Sequence, residues 1–186
     1  LRWMTHFASA DEHDRESTEA QMARFQQAIA ELPGERSLAN SAALQAFPAS
    51  HGDWVRPGGM LYGLSTFAQR SGADLGLRPA MALSTRLISI QQLAEGDRVG
   101  YGGSYHCPRA MRVGIAAVGY GDGYPRHAPT GTPVRVAGQP GVVIGRVSMD
   151  LLAIDLSDAP AAGIGSEVLL WGPELPVESV AEAAGT

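Results

Sequence analysis

The sequence predicts an α/β unit followed by an all-β unit. The α/β unit is expected to be a portion of an α/β barrel, and the all-β unit a strand-rich domain that forms a compact β-barrel or sandwich. Up to about residue 75, apolar side chains with helical spacing alternate with short strands. From about residue 78, turn residues separate short strands at regular intervals. The polar stretch 68–78 between the two regions predicts a linker.

The first unit begins with a predicted strand and a long helix. Residues 2–7 are expected to form a buried strand that ends in polar residues. A helix should follow over residues 15–32, because apolar side chains recur there at spacings of three and four. They are Met22, Phe25, Ile29 and Leu32. Pro33 and Gly34 end this helix.

Two shorter elements complete the first unit. Asn40 and Ser41 can start a short helix that runs through Phe47, and Pro48 closes it. Residues 54–56 predict a strand, and residues 57–59 a Pro-Gly-Gly loop. Strands that alternate with helices in this way are typical of an α/β barrel.

The second unit is predicted to consist almost entirely of strands. The candidate strands cover residues 81–93, 111–118, 133–137, 141–148, 151–156 and 166–171. Turn chemistry separates them at residues 95–97, 121–123 and 138–140. A short final helix is expected over residues 177–184.

The composition excludes several classes of function. The 186-residue chain is 45% hydrophobic, which is enough for a substantial core. Its net charge of −5 predicts no nucleic-acid partner and no anionic membrane surface. Cys107 is the one cysteine, so an internal disulfide is excluded and a cytoplasmic location is expected. Because Cys107, His13, His51, His106 and His127 show no ligand spacing, we predict no metal site.

All 14 basic residues are arginine. A mechanism that needs a lysine Schiff base within this chain is therefore excluded. The sequence opens at Leu1 without an initiator methionine or a leader, and it stops just after the last predicted helix. We therefore expect a fragment of a longer protein.

Six phrases occur in one order along the chain, and together they resemble the alanine racemase family. They are THFASAD at 5–11, ANSAAL at 39–44, VRPGGMLYG at 55–63, VGYG at 99–102, GYGDGYPR at 119–126 and GRVSMD at 145–150. The resemblance covers essentially the whole chain. It implies a (β/α)8 barrel that binds pyridoxal 5'-phosphate (PLP), with residues 1–77 as its C-terminal part. Residues 78–186 would be an incomplete C-terminal β-domain.

The resemblance also implies the activity. The family is PLP-dependent (fold-type III) and interconverts L-alanine and D-alanine, a peptidoglycan precursor, by proton transfer between two bases. It acts as a cytoplasmic homodimer with shared active sites. The family's Schiff-base lysine lies upstream of this sequence, so the chain by itself is expected to be inactive. The preferred amino acid and the biosynthetic or catabolic role stay open.

Two other functions are compatible with the same residues. A serine racemase or a broad-specificity amino-acid racemase shares these phrases. A non-catalytic interaction domain derived from the racemase fold would need none of the chemistry.

Tyr101 matches the family's second base, which faces the Schiff-base lysine across the substrate. Removal of a proton on one face and its return on the other requires two such bases. A phenol needs cationic or hydrogen-bonding neighbours to act as a base near neutral pH. Without the resemblance, Tyr101 would be interpreted as a strand aromatic packed on the core.

Two further matches concern the pyridine ring of the cofactor. Arg56 matches the arginine that the family places against the ring nitrogen, where a permanently charged guanidinium disfavours protonation. His6 matches a histidine at a strand end near that arginine and the base. Alone, Arg56 would be interpreted as a surface arginine and His6 as a structural residue.

The remaining matches concern the phosphate and the substrate. The predicted phosphate cradle comprises Asn40, Ser41, Gly58 and Gly59, where backbone amides and a hydroxyl suit a dianion. An ordinary helix cap followed by a turn is the alternative for these four. By resemblance, Met149 and Asp150 reach the neighbouring subunit's active site, and Tyr120 lines the access corridor to it.

Overall fold

Three parallel strands and two helices dominate the first of the two units into which the chain divides, Leu1–Ala80 and Met81–Thr186. The computed structural model describes residues 1–12 and 14–186. The elements of the first unit are β1 (Arg2–Met4), α1 (Arg15–Ala28), β2 (Glu35–Asn40), α2 (Ser41–Ala46) and β3 (Trp54–Arg56). The strand order is β1-β2-β3, and both pairs are parallel.

Helix α1 is shorter than the sequence pattern predicts. The Asp14 side chain accepts a hydrogen bond from the Ser17 amide and so caps the start of the helix. The helix ends at Ala28, not at residue 32, because the amide of Leu32 bonds to the carbonyl of Ile29 in a tight turn. Leu32 is 42% exposed, so the apolar spacing overstated the length of the helix.

In this unit one strand prediction was wrong in detail, one strand was missed and one was correct. β1 stops at Met4, which is 60% exposed, so it is not a buried strand. Only Phe7, beyond the strand end, joins the core with Leu38 and Phe47. β2 was not predicted, because ERSLAN contains no β-branched or aromatic residue. The strand Trp54–Arg56 was predicted correctly.

The second unit is a closed barrel of six strands in the order β10-β7-β4-β11-β8-β9. These strands are β4 (Leu83–Leu93), β7 (Met111–Ala116), β8 (Pro133–Val136), β9 (Gln139–Ile144), β10 (Leu152–Asp155) and β11 (Glu167–Trp171). All neighbours are antiparallel. The barrel resolves the choice between barrel and sandwich, and α3 (Val177–Ala184) lies where the final helix was predicted.

The barrel core consists of alternating inward side chains. Val136, Val143, Ile154, Val168 and Leu170 have no measurable exposure. This alternation explains why the six strands could be located from the sequence. Closure also removes the free sheet edges that a flat six-stranded sheet would carry.

Two features of the second unit differ from the prediction. The turn placed at residues 138–140 is the pair Ala137 and Gly138, while Gln139 and Pro140 already belong to β9. A two-stranded ribbon, β5 (Arg98–Val99) and β6 (Tyr105–His106), was not predicted. Two-residue strands are too short to show a periodicity.

Candidate active site

The predicted cofactor residues of the first unit meet at one edge of its sheet. Because β1, β2 and β3 are parallel, their carboxyl ends lie at the same edge. His6 follows β1, Asn40 ends β2, Ser41 begins α2, and Arg56 is the last residue of β3. The carboxyl ends of parallel strands are where α/β proteins hold ligands.

The Arg56 guanidinium is bound by a cage of neutral acceptors. Its Nη1 atom donates to the Ser37 carbonyl at 3.1 Å and to the Ser37 hydroxyl at 2.7 Å. Its Nη2 atom donates to the carbonyls of Thr5 at 2.8 Å and Leu38 at 3.1 Å, and lies 3.4 Å from Nδ1 of His6. These acceptors use all four terminal N–H bonds. The half-buried Arg56 is therefore not a free surface arginine.

The cage leaves the positive charge and the Nε–H donor of Arg56 available to a ligand. Within the described residues, the guanidinium has no carboxylate partner, so its positive charge is not neutralised. Its Nε–H also has no acceptor among those residues. One directed donor with a full positive charge can therefore interact with a ligand.

Gln21 of α1 holds the segment that carries His6. Its Nε2 atom donates to the His6 carbonyl at 2.7 Å and to the Thr5 hydroxyl at 3.2 Å. Its Oε1 atom accepts from the Ala8 amide at 3.2 Å. The sequence analysis missed this residue, because a glutamine on an amphipathic helix carries no signal that separates it from an ordinary surface residue.

Two of the four predicted phosphate-cradle residues, Asn40 and Ser41, keep a side-chain donor available within the described residues, and Asn40 also caps helix α2. The Asn40 Oδ1 atom accepts from the Ala43 amide at 2.9 Å, so its carboxamide nitrogen remains the free part of the side chain. The Ser41 Oγ atom accepts from the Met60 amide at 3.3 Å, which leaves its O–H as a donor and ties the 59–62 turn to α2. A Cβ on Gly58 would meet no atom within 4 Å, so this backbone faces open space, but the Gly58 amide itself donates to the Arg56 carbonyl at 2.9 Å.

Tyr101 lies at the tip of the β5–β6 ribbon in the second unit. Its side chain is 65% exposed, so it is not an aromatic packed on the core. Gly100, at φ +79°, approaches the neighbouring loop so closely that a Cβ there would lie 2.9 Å from the Arg146 nitrogen. The glycine therefore fixes the ribbon against the 145–150 segment and leaves the phenol accessible.

The structure brings Tyr120, Met149 and Asp150 together in one rim of the second unit. The Tyr120 amide donates to the Ser148 carbonyl at 3.0 Å, and the Gly121 amide donates to the Met149 carbonyl at 2.8 Å. Met149 is 53% exposed, and Asp150 is also exposed. The 119–123 and 148–150 segments thus form one backbone-linked surface.

A cationic groove of about 510 Å³ adjoins this rim. Its lining includes Arg126, Arg146 and His127, with hydroxyls from Ser104 and Thr130. The Arg126 guanidinium also lies 5.2 Å from the centre of the Tyr120 ring. Such a groove favours a small anion, although the chain as a whole is acidic.

Within residues 1–12 and 14–186, no three His, Cys, Asp or Glu side chains are grouped so that they could hold a metal ion. Cys107 is buried, and burial raises the pKa of its thiol. The prediction for His13 lies outside the described residues.

The fold and these sites define a class of protein in which a parallel α/β sheet with a ligand-binding edge precedes an antiparallel β-barrel. Two family models match the chain: "Alanine racemase, N-terminal domain" over residues 2–66 and "Alanine racemase, C-terminal domain" over residues 80–186. The chain therefore belongs to the alanine racemase family.

Individual relatives agree with this assignment. An alanine racemase of Nitrosospira multiformis is 56% identical over 98% of this chain and 52% of its own length. The crystal structure of biosynthetic alanine racemase from Pseudomonas aeruginosa is 50% identical in sequence and has a TM-score of 0.94. The match covers 100% of this chain and 52% of the Pseudomonas aeruginosa chain. The structure of an alanine racemase from Bartonella henselae with covalently bound pyridoxal phosphate is 27% identical in sequence and has a TM-score of 0.87. The match covers 100% of this chain and 51% of the Bartonella henselae chain.

The chain spans about half the length of the curated relatives it matches. The relatives from Nitrosospira multiformis, Nitrosococcus oceani and Halorhodospira halophila are all named alanine racemase, which gives no support to a serine racemase, a broad-specificity racemase or a non-catalytic domain. Within the part of the chain that the structure describes, no helix combines the length and apolar character needed to cross a membrane.

Proposed function

We propose that this chain is part of a PLP-dependent alanine racemase, an isomerase that interconverts L-alanine and D-alanine. The observation that carries the proposal is the neutral cage around Arg56, which leaves one directed N–H donor and an unneutralised charge at the carboxyl edge of the sheet. Residues 1–77 would belong to the PLP-binding barrel and residues 78–186 to the C-terminal β-domain.

The donor set at this edge fits PLP. The Ser41 hydroxyl, the Asn40 carboxamide nitrogen and the Gly59 amide would supply uncharged donors for a phosphate dianion. Gly58, whose amide donates to the Arg56 carbonyl, would contribute only the open space beside its backbone. Arg56 supplies the charged donor for the pyridine nitrogen, and His6 supports it through the 3.4 Å contact. When bound, PLP supplies the electron sink that makes the α-proton of the amino acid removable.

Arg56 keeps that sink weak. A guanidinium stays protonated at every working pH, so its charge opposes a proton on the pyridine nitrogen beside it. A weaker sink would favour return of the proton to the α-carbon. Arg56 would thus favour racemisation over transfer of the amino group.

Tyr101 would move the proton on one face of the α-carbon. Its exposure at the ribbon tip leaves the hydroxyl free to reach a substrate. The second base would be the lysine that the family uses, and it must come from outside this chain because no lysine occurs in it. The two bases would act on opposite faces, which is what inversion at the α-carbon requires.

The second unit would guide the substrate. The cationic groove beside Tyr120 suits the carboxylate of an amino acid. Tyr120 would line the access corridor, and Met149 and Asp150 would reach the active site of the partner subunit. A small walled pocket would discriminate alanine from larger amino acids.

The remaining properties of the protein are also proposals. We infer a cytoplasmic homodimer with shared active sites and a role in supplying D-alanine for peptidoglycan. The similarity to the biosynthetic alanine racemase from Pseudomonas aeruginosa supports this role over a catabolic one.

The test is a racemisation assay on the full-length protein expressed from its gene and loaded with PLP. We expect D-alanine from L-alanine and L-alanine from D-alanine, with much slower turnover of L-serine. Comparable rates with serine would favour the broad-specificity alternative. Absence of turnover with any amino acid, in a folded and PLP-loaded protein, would overturn the proposal.

A further inference from the structure

Ser37 is the residue that the structure ties most directly to the Arg56 guanidinium. It lies within β2 and is 3% exposed. Its hydroxyl oxygen and its carbonyl oxygen accept both N–H bonds of Nη1, at 2.7 Å and 3.1 Å. One buried residue therefore holds one complete end of the guanidinium.

The rest of the cage cannot replace this hydroxyl. At the other end, Nη2 is held by the main-chain carbonyls of Thr5 and Leu38, which no side-chain substitution removes. In the described part of the chain, Ser37 Oγ is the one side-chain oxygen bonded to the guanidinium. Without it, one N–H of Nη1 loses its partner, and the longer bond to the Ser37 carbonyl is left as the one contact that holds the Nη1 end against rotation of the plane.

The chemistry of the hydroxyl also matters. A carboxylate at this position would hold the guanidinium but would neutralise its charge in a half-buried site. A serine hydroxyl accepts the same hydrogen bond and carries no charge. It therefore orients the cation without weakening its effect on a neighbouring ligand.

We propose that Ser37 is a positioning residue: its hydroxyl fixes the plane of the Arg56 guanidinium and so aims the free Nε–H at the ligand. This inference rests on the proposed function, in which Arg56 faces the pyridine nitrogen. The sequence analysis did not single out Ser37, because the hydrogen bond joins residues 19 positions apart.

The test compares Ser37→Ala with Ser50→Ala in the full-length holoenzyme. Ser50 is a matched control, since it is also buried in the first unit and its hydroxyl donates to the Phe47 carbonyl at 2.7 Å. Racemisation and pyruvate release are measured in the same reaction. Pyruvate forms when alanine is oxidised to the keto acid while the cofactor aldehyde is reduced to the amine.

The ratio of pyruvate to racemised alanine is the readout, because a general loss of folded enzyme lowers both rates together. We expect Ser37→Ala to raise this ratio about tenfold, the scale of one hydrogen bond to a charged group. Ser50→Ala should leave it unchanged. Ser37→Thr, which keeps the hydroxyl, should return the ratio towards wild type, and Arg56→Glu should give the largest increase.

A crystal structure of the Ser37→Ala holoenzyme gives a readout that does not depend on activity. We expect the guanidinium plane to be turned from its wild-type orientation. An unturned plane, an unchanged ratio, or an equal rise in Ser50→Ala would overturn the inference. Failure of the proposed function would look different, because the wild-type holoenzyme would then make no D-alanine.

Discussion

Individual side chains in this protein can act through the hydrogen-bonding groups that their neighbours leave without a partner. Arg56 has four terminal N–H bonds taken by protein acceptors and one donor free. Tyr101 is exposed because the glycines around it let the ribbon tip turn tightly, with Gly100, Gly102 and Gly103 all at positive φ.

Substitution of Tyr101 by Phe should remove the base on one face. In the full-length enzyme we expect both directions of racemisation to fall by about 10²-fold or more, the scale of general acid–base catalysis. Both directions fall because each passes a proton through both faces. Initial rates with L-alanine and with D-alanine measure the effect.

Tyr105→Phe is the control for this variant. Tyr105 lies on β6 of the same ribbon, and its hydroxyl contacts only the Met111 sulfur, at 3.8 Å, among the described residues. The control should keep near-normal rates. Near-normal rates in both directions for Tyr101→Phe would mean that another residue is the base.

Tyr124 carries a buried hydroxyl without a hydrogen-bond partner among the described residues. The side chain is 2% exposed and stacks on Trp171 with a centroid distance of 6.0 Å. Burial raises the pKa of Tyr124 to about 12. An unpaired buried hydroxyl costs stability, so Tyr124→Phe should be neutral or stabilising at pH 7.

The same residue predicts a pH dependence. Above pH 10.0, the reference value of the phenol, the unfolded chain loses the Tyr124 proton while the folded chain keeps it up to about pH 12. Stability therefore falls as pH rises through this window, by about 1 kcal/mol at pH 11. Urea unfolding at pH 9 and pH 11 should show this loss in wild type and its absence in Tyr124→Phe. Equal losses in the two proteins would contradict the assignment.

At the scale of elements, short connections determine how the strands meet. A two-residue loop, Ala137 and Gly138, joins β8 and β9 into a hairpin, with φ +48° at Ala137 and +77° at Gly138. Two positive φ values are what a type I′ turn requires, and this turn matches the twist of the flanking strands. Ala137 is the one non-glycine residue in this region of φ among the described residues.

Substitution of Ala137 by Asn should stabilise the barrel. Asparagine tolerates positive φ, whereas alanine is strained by its Cβ, so we expect a gain of about 1 kcal/mol in the free energy of unfolding. Gly138→Ala should act in the opposite direction by a similar amount. Thermal unfolding of the full-length protein measures both, and a lower melting temperature for Ala137→Asn would contradict the turn assignment.

For the whole molecule, the absence of lysine sets the limit of what this chain can do. The first unit contributes the proposed cofactor-binding edge and the second unit an exposed tyrosine, but neither contains a primary amine on a side chain. We propose that a lysine outside these 186 residues holds the cofactor in the full-length protein, so that the chemistry would need that residue.

The chain alone, with added PLP, should therefore not racemise alanine. Purified 186-residue chain is incubated with L-alanine, and D-alanine is measured over time. The full-length protein under the same conditions is the positive control. Measurable turnover by the chain alone would refute the requirement for a residue outside it.

The sequence by itself determined the elements whose signals are local. Helix α2 lies between its Asn40 cap and Pro48, α3 has its predicted bounds, and the barrel strands follow from the alternation of buried side chains. The six phrases also supplied candidate residues for the chemistry, whose roles stay predictions, and the structure places four of them, His6, Asn40, Ser41 and Arg56, at one sheet edge. Each of these signals is contained in a few consecutive residues.

Only the tertiary structure decided the features that depend on distant partners. β2 is a strand because β1 and β3 pair with it on both sides, although its own residues favour no strand. Gln21 and Ser37 gain their roles from hydrogen bonds to His6 and Arg56, 15 and 19 positions away. A hydrogen bond depends on where two atoms meet in space, and the periodicity of a sequence does not contain that information.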